Sequence, residues 1–253
     1  MEQSRPTHET ERNREMGLKR MTEQELMNRL HGGAQDWEPI QQERLVAAYE
    51  LAARLHEDDR HKDVPYIYHL LRVANRLQGY LEVKDPTVII SALLHDSVED
   101  HPAKMIETLG ENVQTSDPVE LQAAALACIE TAFSPDVAAL VARVTNPPTP
   151  DQPRTYDKGL HAYAEKVESA IETVEGFLLK FSDWCDNGVG VKHDIVGQGV
   201  KHDHFRTKYG LVLPLFETRA AQPDIQAFLT PAAKQYVSRQ LELGRQRLRV
   251  PVE

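Results

Sequence analysis

Hydrophobic positions along the chain recur with the period of an α-helix. After the first 36 residues, Ile40, Val46, Leu51 and Leu55 fall near one helical face among good helix formers. The segment "PTVIISALLHD", residues 86–96, is apolar on all sides, which predicts a central, buried helix. No convincing strand pattern and no internal repeat interrupts this periodicity. The pattern therefore predicts an all-α helical bundle.

Capping residues and prolines predict the ends of the helices. Pro65 precedes an apolar stripe that runs from Ile67 to Leu77, and Ser134 and Thr230 each stand before a proline as an N-cap stands before the first helical residue. The further predicted helices are residues 118–133, a helix starting at Pro135, one long helix from about Leu160 to Asn187, and two last helices around 204–220 and 231–248.

The first 36 residues differ in composition from the rest of the chain. They are rich in both charges and poor in aromatic residues, and they end near a Gly-Gly pair, which predicts a mobile N-terminal arm over residues 1–36. Inside this arm, Thr22 and Glu25 have the spacing of a capping box, which indicates a short helix reaching Leu30. The remaining residues, 37–253, are expected to form one domain.

Charge and cysteine content limit the function classes. The chain has 253 residues and a formal net charge of −10, which argues against a general nucleic-acid groove but not against a local basic pocket for a small anion, so we expect a small partner. Its two cysteines, Cys128 and Cys185, form no paired framework, which is typical of a reducing compartment. No stretch of eighteen apolar residues and no signal peptide is present, so we expect a cytoplasmic protein that does not contact a membrane.

The stretch "ALLHDSVED", residues 92–100, places a histidine and three carboxylates directly after an apolar run. Buried charges are costly unless they are paired or bind a metal, so His95 and Asp96 are candidate metal ligands. Glu99 and Asp100 follow four residues later on the same helical faces, where they could act as acid and base. Taken alone, this pair would more often be a solvated helix end.

Two more candidate ligands lie in strongly apolar helical contexts elsewhere. His69 stands within "PYIYHLLRVA" and Asp183 within "FLLKFSDWCDN". Singly, His69 is as well explained as a hydrogen-bonded core histidine and Asp183 as a buried hydrogen-bond anchor. Together with the histidine and aspartate of residues 95 and 96 they would form a mixed nitrogen and oxygen site that suits manganese, iron or zinc.

Four motifs in order, "RHKDVPYIYH", "ALLHDSVED", "LVARVTN" and "LLKFSDWCDN", resemble the hydrolase half of the RelA/SpoT proteins, a branch of the HD-domain metal-dependent phosphohydrolases. The resemblance runs from about Ala47 to Asn187. Because no synthetase-like region follows, the chain is most similar to stand-alone small alarmone hydrolases. The resemblance implies an HD-domain helical bundle with the metal site between central helices, in a hydrolase domain over residues 37–253 that includes a C-terminal helical extension.

The resemblance also implies roles for individual residues. The metal, usually Mn²⁺ in this family, would be bound by His69, His95, Asp96 and Asp183. Glu99 and Asp100 would handle the attacking water and its protons. The substrate, a small nucleotide, would be bound by Arg60, His61, Lys62, Tyr66 and Asn187.

The implied reaction removes the 3′-pyrophosphate of guanosine alarmones, converting ppGpp or pppGpp to GDP or GTP. Some positions depart from the family pattern: His61 replaces a second basic residue, His101 a threonine, Trp184 an arginine and Asp186 a histidine. Two alternatives therefore stay open. One is an HD phosphohydrolase acting on adenosine alarmones or on NADPH as a 2′-phosphatase, and the other is a non-catalytic nucleotide-binding module.

Overall fold

The computed structural model describes residues 17–61, 64–110, 115–148, 156–189 and 200–248. Nearly all of these residues are helical, as the hydrophobic pattern predicts. The helices are α1 (Glu23–Gly33), α2 (Pro39–Leu55), α3 (Ile67–Gly79), α4 (Pro86–Leu94), α5 (Ser97–Asp100), α6 (Pro102–Thr108), α7 (Pro118–Ala132), α8 (Pro135–Val144), α9 (Tyr156–Ala170), α10 (Val174–Trp184), α11 (Val200–Leu211), α12 (Leu213–Ala220), α13 (Pro223–Phe228) and α14 (Pro231–Arg247). Within the described ranges, no helix is both long enough and apolar enough to cross a membrane.

One small feature was not predicted. Arg60–His61 (β1) and Val64–Pro65 (β2) pair as a two-residue antiparallel hairpin just before α3. Two residues per strand are too few to produce a hydrophobic alternation, so the sequence pattern could not reveal it. The all-α class is confirmed.

Helix α4 occupies the centre of the bundle, as its uniformly apolar sequence predicts. Every residue from Val88 to Leu94 is buried, and the helix packs against α2, α3 and α8. Asp85 caps its start by accepting a hydrogen bond from the amide of Thr87. The site residues that follow Leu94 are therefore anchored to a buried central helix.

The central helix does not continue through the acidic residues. It ends at Leu94, a turn contains His95 and Asp96, and the short helix α5 then begins. Both turn residues keep right-handed helical dihedral angles, and the amide of Asp100 donates to the carbonyl of Asp96 at 2.8 Å. Asp100 therefore still lies one helical turn after Asp96, as the four-residue spacing predicts.

The predicted arm needs correction in its second half. Helix α1 starts with the predicted capping box of Thr22 and Glu25, but Leu26 and Leu30 are fully buried and the helix packs on α3. The buried face was not recognised in the sequence, because charged and polar residues surround its few apolar positions. Residues 1–16 lie outside the described residues, and the arm there stays a prediction.

The single long helix predicted from Leu160 to Asn187 is wrong, because two helices and a π-helical turn occupy this segment. Helix α9 ends at Ala170, and Thr173 caps α10 by accepting from the amide of Gly176 at 3.1 Å. A Cβ atom on Gly176 would lie 2.0 Å from the carbonyl oxygen of Ala170, so this corner requires glycine. After Trp184 the chain widens into the π-helical turn Cys185–Val189.

The C-terminal helices also differ from the prediction. Helix α11 begins at Val200, before the predicted residue 204, and the chain breaks at Val212 ahead of α12; the short helix α13 was missed. The last helix begins as predicted, with Thr230 accepting from the amide of Ala233. Helices α11 and α14 pack on the π-helical turn, which places this extension beside the candidate site.

Candidate metal centre and active site

Four predicted ligands from three parts of the bundle converge on one point. His69 lies on α3, His95 and Asp96 lie in the turn after α4, and Asp183 lies on α10. The Nε2 atom of His69 is 3.4 Å from Asp183 Oδ1 and 3.6 Å from Asp96 Oδ2. The Nε2 atom of His95 is 3.1 Å from Asp96 Oδ2 and 3.8 Å from Asp183 Oδ1. Ligand atoms about 2.1 Å from a common ion lie roughly 3 to 3.5 Å apart, so these separations suit a bound metal.

Both imidazoles present an unpartnered nitrogen to this point. The Nδ1 atom of His69 lies 2.9 Å from Asp186 Oδ2, and that of His95 lies 2.8 Å from the carbonyl oxygen of Ala92. Because these contacts use the Nδ1–H groups, Nε2 is the nitrogen of each ring that can bind a metal ion once its proton is lost. Both Nε2 atoms are buried without a hydrogen-bond partner among the described residues. Such orphaned atoms are rare in a core unless a ligand binds them, so the residues fit a divalent metal ion.

The pKa shifts of the clustered histidines and aspartates also favour binding of a cation. Burial opposes the charged imidazolium of His95, but Asp96 and Asp183 outweigh it and raise the pKa of His95 to about 9. Burial would raise the pKa of Asp96, yet the two histidines hold it well below its usual range. The carboxylates are thus ionised and attract a cation to the imidazoles, and a bound ion would replace the proton on Nε2.

Neighbouring polar groups orient the two aspartates. Lys180 Nζ donates to Asp183 Oδ2 at 3.2 Å, and the side-chain amide of Asn187 donates to Asp183 Oδ1 at 2.6 Å. The hydroxyl of Tyr66 donates to Asp96 Oδ2 at 2.6 Å. The structure therefore places Asn187 and Tyr66, both predicted to bind substrate, in direct contact with the candidate ligands.

Asp186 is a site residue that stands out in the sequence only as a departure from the family pattern. Its carboxylate contacts His69 and accepts two hydrogen bonds from Arg72, at 2.9 and 2.8 Å. Arg76 Nη2 lies 3.3 Å from the same carboxylate. Burial would raise the pKa of Asp186, but these two arginines and His69 hold it well below its usual range. The group is therefore a permanent anion that fixes the ring of His69.

The two candidate acid/base residues lie together on α5. Asn146 holds Glu99, because its side-chain amide donates to both carboxylate oxygens at 3.0 and 2.8 Å and its backbone amide donates to one at 3.1 Å. Asp100 is exposed toward the pocket, yet the surrounding protein removes part of its hydration. This desolvation, together with the charges of Asp96 and Glu99, raises the pKa of Asp100 to about 7. The pair thus offers one carboxylate fixed by an amide and one poised between its two protonation states.

A single polar pocket connects these groups. It is lined by Tyr66, Asp96, Glu99, Asp100, Asn146, Tyr163, Lys180, Asp183, Asn187, Lys208 and Tyr209. Tyr163, Lys208 and Tyr209 come from α9 and α11, outside the four motifs, and they were not predicted. The indole of Trp184 donates to the carbonyl of Tyr209 at 3.0 Å and so ties α11 to α10. The pocket is a cleft between the motif-bearing helices and the C-terminal extension.

Three predicted substrate-binding residues are not placed in this pocket. Arg60 is exposed, and its guanidinium donates to the carbonyls of Glu57 and Asp59 at 2.6 and 2.9 Å. His61 belongs to β1, where only its backbone is described, and Lys62 lies outside the described residues. A role for these three in substrate binding stays a prediction.

A second histidine and carboxylate cluster lies next to Tyr66. Asp59 Oδ2 is 2.7 Å from His56 Nδ1 and 2.6 Å from His101 Nε2, and the ring of His56 stacks on Tyr66. These are hydrogen-bond lengths, so the two imidazoles donate to the shared oxygen. The three residues lie close enough together to hold a metal ion. In contrast to the centre at His69 and His95, however, no buried side-chain nitrogen or oxygen of this cluster lacks a hydrogen-bond partner.

The chain is similar to several characterised proteins. A profile of the HD domain family matches residues 48–182, which ends one residue before Asp183. The guanosine-3′,5′-bis(diphosphate) 3′-pyrophosphohydrolase of Drosophila melanogaster is 28% identical over 151 residues, which covers 57% of this chain and 67% of the relative. The enzyme of the same name from Danio rerio is 46% identical over 59 residues, but this covers 22% of this chain and only 33% of the relative.

A solved structure shares the fold. It is that of a metazoan orthologue of SpoT that hydrolyses ppGpp and plays a role in starvation responses. The match has a TM-score of 0.55 at 20% identity and covers 81% of this chain and 95% of the other. The common architecture therefore extends beyond the segment matched by the family profile.

Proposed function

Because the chain belongs to the HD domain family, we propose that it is a metal-dependent hydrolase that removes the 3′-pyrophosphate of guanosine alarmones, converting ppGpp or pppGpp to GDP or GTP. The observation that carries this proposal is the convergence of two unpartnered imidazole nitrogens, on His69 and His95, with the carboxylates of Asp96 and Asp183. Such a donor set suits Mn²⁺, the ion that we propose as the native cofactor.

The substrate class is supported by the relatives and by the pocket. The curated relatives from fly and zebrafish are both named for hydrolysis of guanosine-3′,5′-bis(diphosphate). The pocket of this acidic protein contains two lysines, Lys180 and Lys208, beside its carboxylates. Cationic side chains in a site of a chain with net charge −10 favour an anionic ligand such as a phosphorylated nucleotide.

A bound divalent ion would polarise a phosphoryl oxygen and lower the pKa of a water molecule at the site. The hydrolysis then forms a bond between the water oxygen and the phosphorus attached to the ribose 3′ oxygen, and breaks the bond between that phosphorus and O3′. Pyrophosphate leaves the nucleoside, and O3′ gains a proton. The reaction needs one group that accepts a proton from water and one that donates a proton to O3′.

Glu99 and Asp100 meet these two needs. Asn146 holds the Glu99 carboxylate in a fixed orientation, which suits a base that takes the proton of the attacking water. The pKa of Asp100, raised to about 7 by desolvation and by Asp96 and Glu99, keeps a proton available near neutral pH for the leaving oxygen. We therefore assign Glu99 as the base and Asp100 as the acid.

Product analysis by anion-exchange chromatography tests the proposal. Purified, manganese-loaded protein is incubated in parallel with ppGpp, pppApp and NADPH. A matched Asp96→Ala protein, purified in the same way, controls for contaminating phosphatases. We expect GDP and pyrophosphate from ppGpp with the wild type and no product with the variant.

Each other outcome identifies a different function. Pyrophosphate from pppApp alone would change the substrate to an adenosine alarmone, and orthophosphate from NADPH would indicate a 2′-phosphatase. The absence of any product from metal-loaded protein would contradict catalysis and indicate a nucleotide-binding module.

A further inference from the structure

Lys208 places an ammonium group in the pocket that forms no direct ion pair with a described carboxylate. It lies on α11 and lines the same cleft as Asp96, Asp183 and Asn187. Among the residues that the structure describes, its side chain has no hydrogen-bond or ion-pair partner. Its contacts are with aromatic rings: Nζ lies 4.3 Å from the centroid of Tyr163 and 5.5 Å from that of Tyr209.

The other lysine of the pocket differs in this respect. Lys180 Nζ is buried and donates to Asp183 Oδ2, so its charge is balanced by a candidate metal ligand. Lys208 contacts two aromatic rings instead of a carboxylate. The quadrupole of an aromatic ring offsets part of the cost of desolvating a cation, but it leaves the N–H donors of the ammonium group without acceptors. The pocket therefore contains one neutralised lysine and one lysine available to a ligand.

The surroundings of Lys208 favour binding of an anion. Burial lowers the pKa of Lys208, and the nearby charge of Lys180 lowers it further, while Asp183 and Glu99 act in the opposite direction. A ligand phosphate between the two lysines would remove their mutual repulsion and accept the free N–H groups of Lys208.

A pyrophosphate group has a second phosphate that Lys208 could bind, whereas a single phosphate has none. The attacked phosphate is expected at the metal centre, where the bound ion would offset its charge. A pyrophosphoryl ester has another charged phosphate beyond the attacked one, and this distal phosphate needs its own cation. Lys208 is the pocket lysine that forms no direct ion pair with a described carboxylate.

We propose that Lys208 binds the distal phosphate of the substrate and thereby selects pyrophosphoryl esters over phosphomonoesters. This inference rests on the proposed function, because it assumes that the attacked phosphate lies at the metal centre. It makes Lys208 a specificity-determining residue, whose ammonium group lies over the rings of Tyr163 and Tyr209.

Calorimetric titration of the manganese-loaded protein with inorganic pyrophosphate and, separately, orthophosphate tests the inference. Lys208→Met keeps the length of the side chain and removes its charge. We expect it to weaken pyrophosphate binding on the order of 10- to 100-fold, the usual size of a charge-assisted hydrogen bond. Orthophosphate binding should change less than about threefold on the same scale, and Lys208→Arg should retain pyrophosphate binding.

Lys84→Met serves as a matched control, since Lys84 is exposed and does not line the pocket. Metal content is measured for every protein after titration, so that loss of the ion is not mistaken for loss of the anion. Equal pyrophosphate affinity in Lys208→Met and wild type would overturn the inference. So would equal weakening of both anions, or a wild type that does not bind pyrophosphate.

The binding test is independent of turnover. If the wild type fails to release GDP from ppGpp but Lys208→Met still loses pyrophosphate affinity selectively, the proposed function fails and the assignment of Lys208 stands. If ppGpp is hydrolysed and the anion affinities of Lys208→Met are unchanged, the reverse holds.

Discussion

Asp186 Oδ2 lies 2.9 Å from His69 Nδ1, and the same carboxylate is held by Arg72 through two hydrogen bonds of 2.8 and 2.9 Å. The carboxylate accepts the Nδ1 proton of the imidazole, so the ring keeps the tautomer whose Nε2 atom faces the candidate metal position. This arrangement raises the basicity of the ring and prevents its rotation. A residue outside the ligand set thus controls one of the ligands.

We expect Asp186→Asn to weaken metal binding by about 10- to 100-fold, the range found when such outer partners of a ligating histidine are removed. The amide has no charge to pair with Arg72, and it can present N–H groups instead of an acceptor to His69. The dissociation constant for Mn²⁺, measured by calorimetry on metal-free protein, checks this.

Asp224→Asn provides the matched control. Asp224 is also held by an arginine, Arg219, through two hydrogen bonds of 2.6 Å, but it lies on the surface and not at the site. Its substitution should leave the metal affinity unchanged. Equal affinities of Asp186→Asn and wild type would show that His69 does not depend on this carboxylate.

Removal of the metal should lower the thermal stability of the wild type. A ligand that binds only the folded state adds about 2.7 kcal/mol when its free concentration is 100 times its dissociation constant. We expect manganese to raise the melting temperature of the wild type and to have little effect on His95→Ala, which lacks one ligand. Calorimetric scans with and without a chelator measure the difference.

His101→Gln is the informative control for this experiment. It disrupts the second cluster, in which His101 contacts Asp59, and leaves the four candidate ligands in place. A manganese effect that persists in His101→Gln and disappears in His95→Ala assigns the ion to the centre at His69 and His95. The opposite pattern would move the metal to the other cluster.

Glu99→Gln should separate metal binding from catalysis. The glutamine has nearly the same shape but cannot accept the proton of the attacking water, so we expect a loss on the order of a hundredfold or more in kcat. Metal content should stay that of the wild type. Glu107→Gln, which changes an exposed glutamate outside the pocket, controls for the lost charge. A rate for Glu99→Gln within twofold of the wild type would contradict its assignment as the base.

Local chemistry predicted much of the fold. The N-caps Ser134 and Thr230 and the capping box of Thr22 are confirmed, because a cap depends only on residues a few positions away. The family profile and the solved relative confirm the resemblance to RelA/SpoT-type HD proteins and the HD fold. The break at Thr173 and the burial of Leu26 were missed, because they depend on packing between segments that are distant in sequence.

The candidate site shows the same division. The motifs indicated the histidines and aspartates that the structure brings together, since each motif contains its own residues. The ion pair of Arg72 and Asp186 could not be predicted, because 114 positions separate the two residues. Each of them alone looks like an ordinary charged residue on a helix, and only the folded structure brings them into contact. The sequence did not indicate Lys208 as a site residue either, because a lysine on a helix is normally solvated. Only the tertiary structure places its side chain in the pocket.

The raised pKa of Asp100 has a consequence for stability that can be measured without substrate. Desolvation and the charges of Asp96 and Glu99 raise the pKa of Asp100 to about 7 in the folded protein, from an ordinary value of 3.8. Between these two values the folded state binds more protons than the unfolded state, so this residue makes stability fall as the pH rises from about 4 to 7. Asp100→Asn removes this dependence, because the amide is neutral at every pH.

We therefore expect metal-free Asp100→Asn and wild type to have similar free energies of unfolding near pH 4, with the variant becoming the more stable protein above pH 7. Denaturant titrations across this range, fitted with a common slope, provide the comparison. Asp136→Asn, at an exposed aspartate in the first turn of α8, controls for a general effect of removing negative charge from an acidic chain. A stability difference between Asp100→Asn and wild type that does not change with pH would mean that Asp100 ionises normally, and its assignment as the proton donor would then fail.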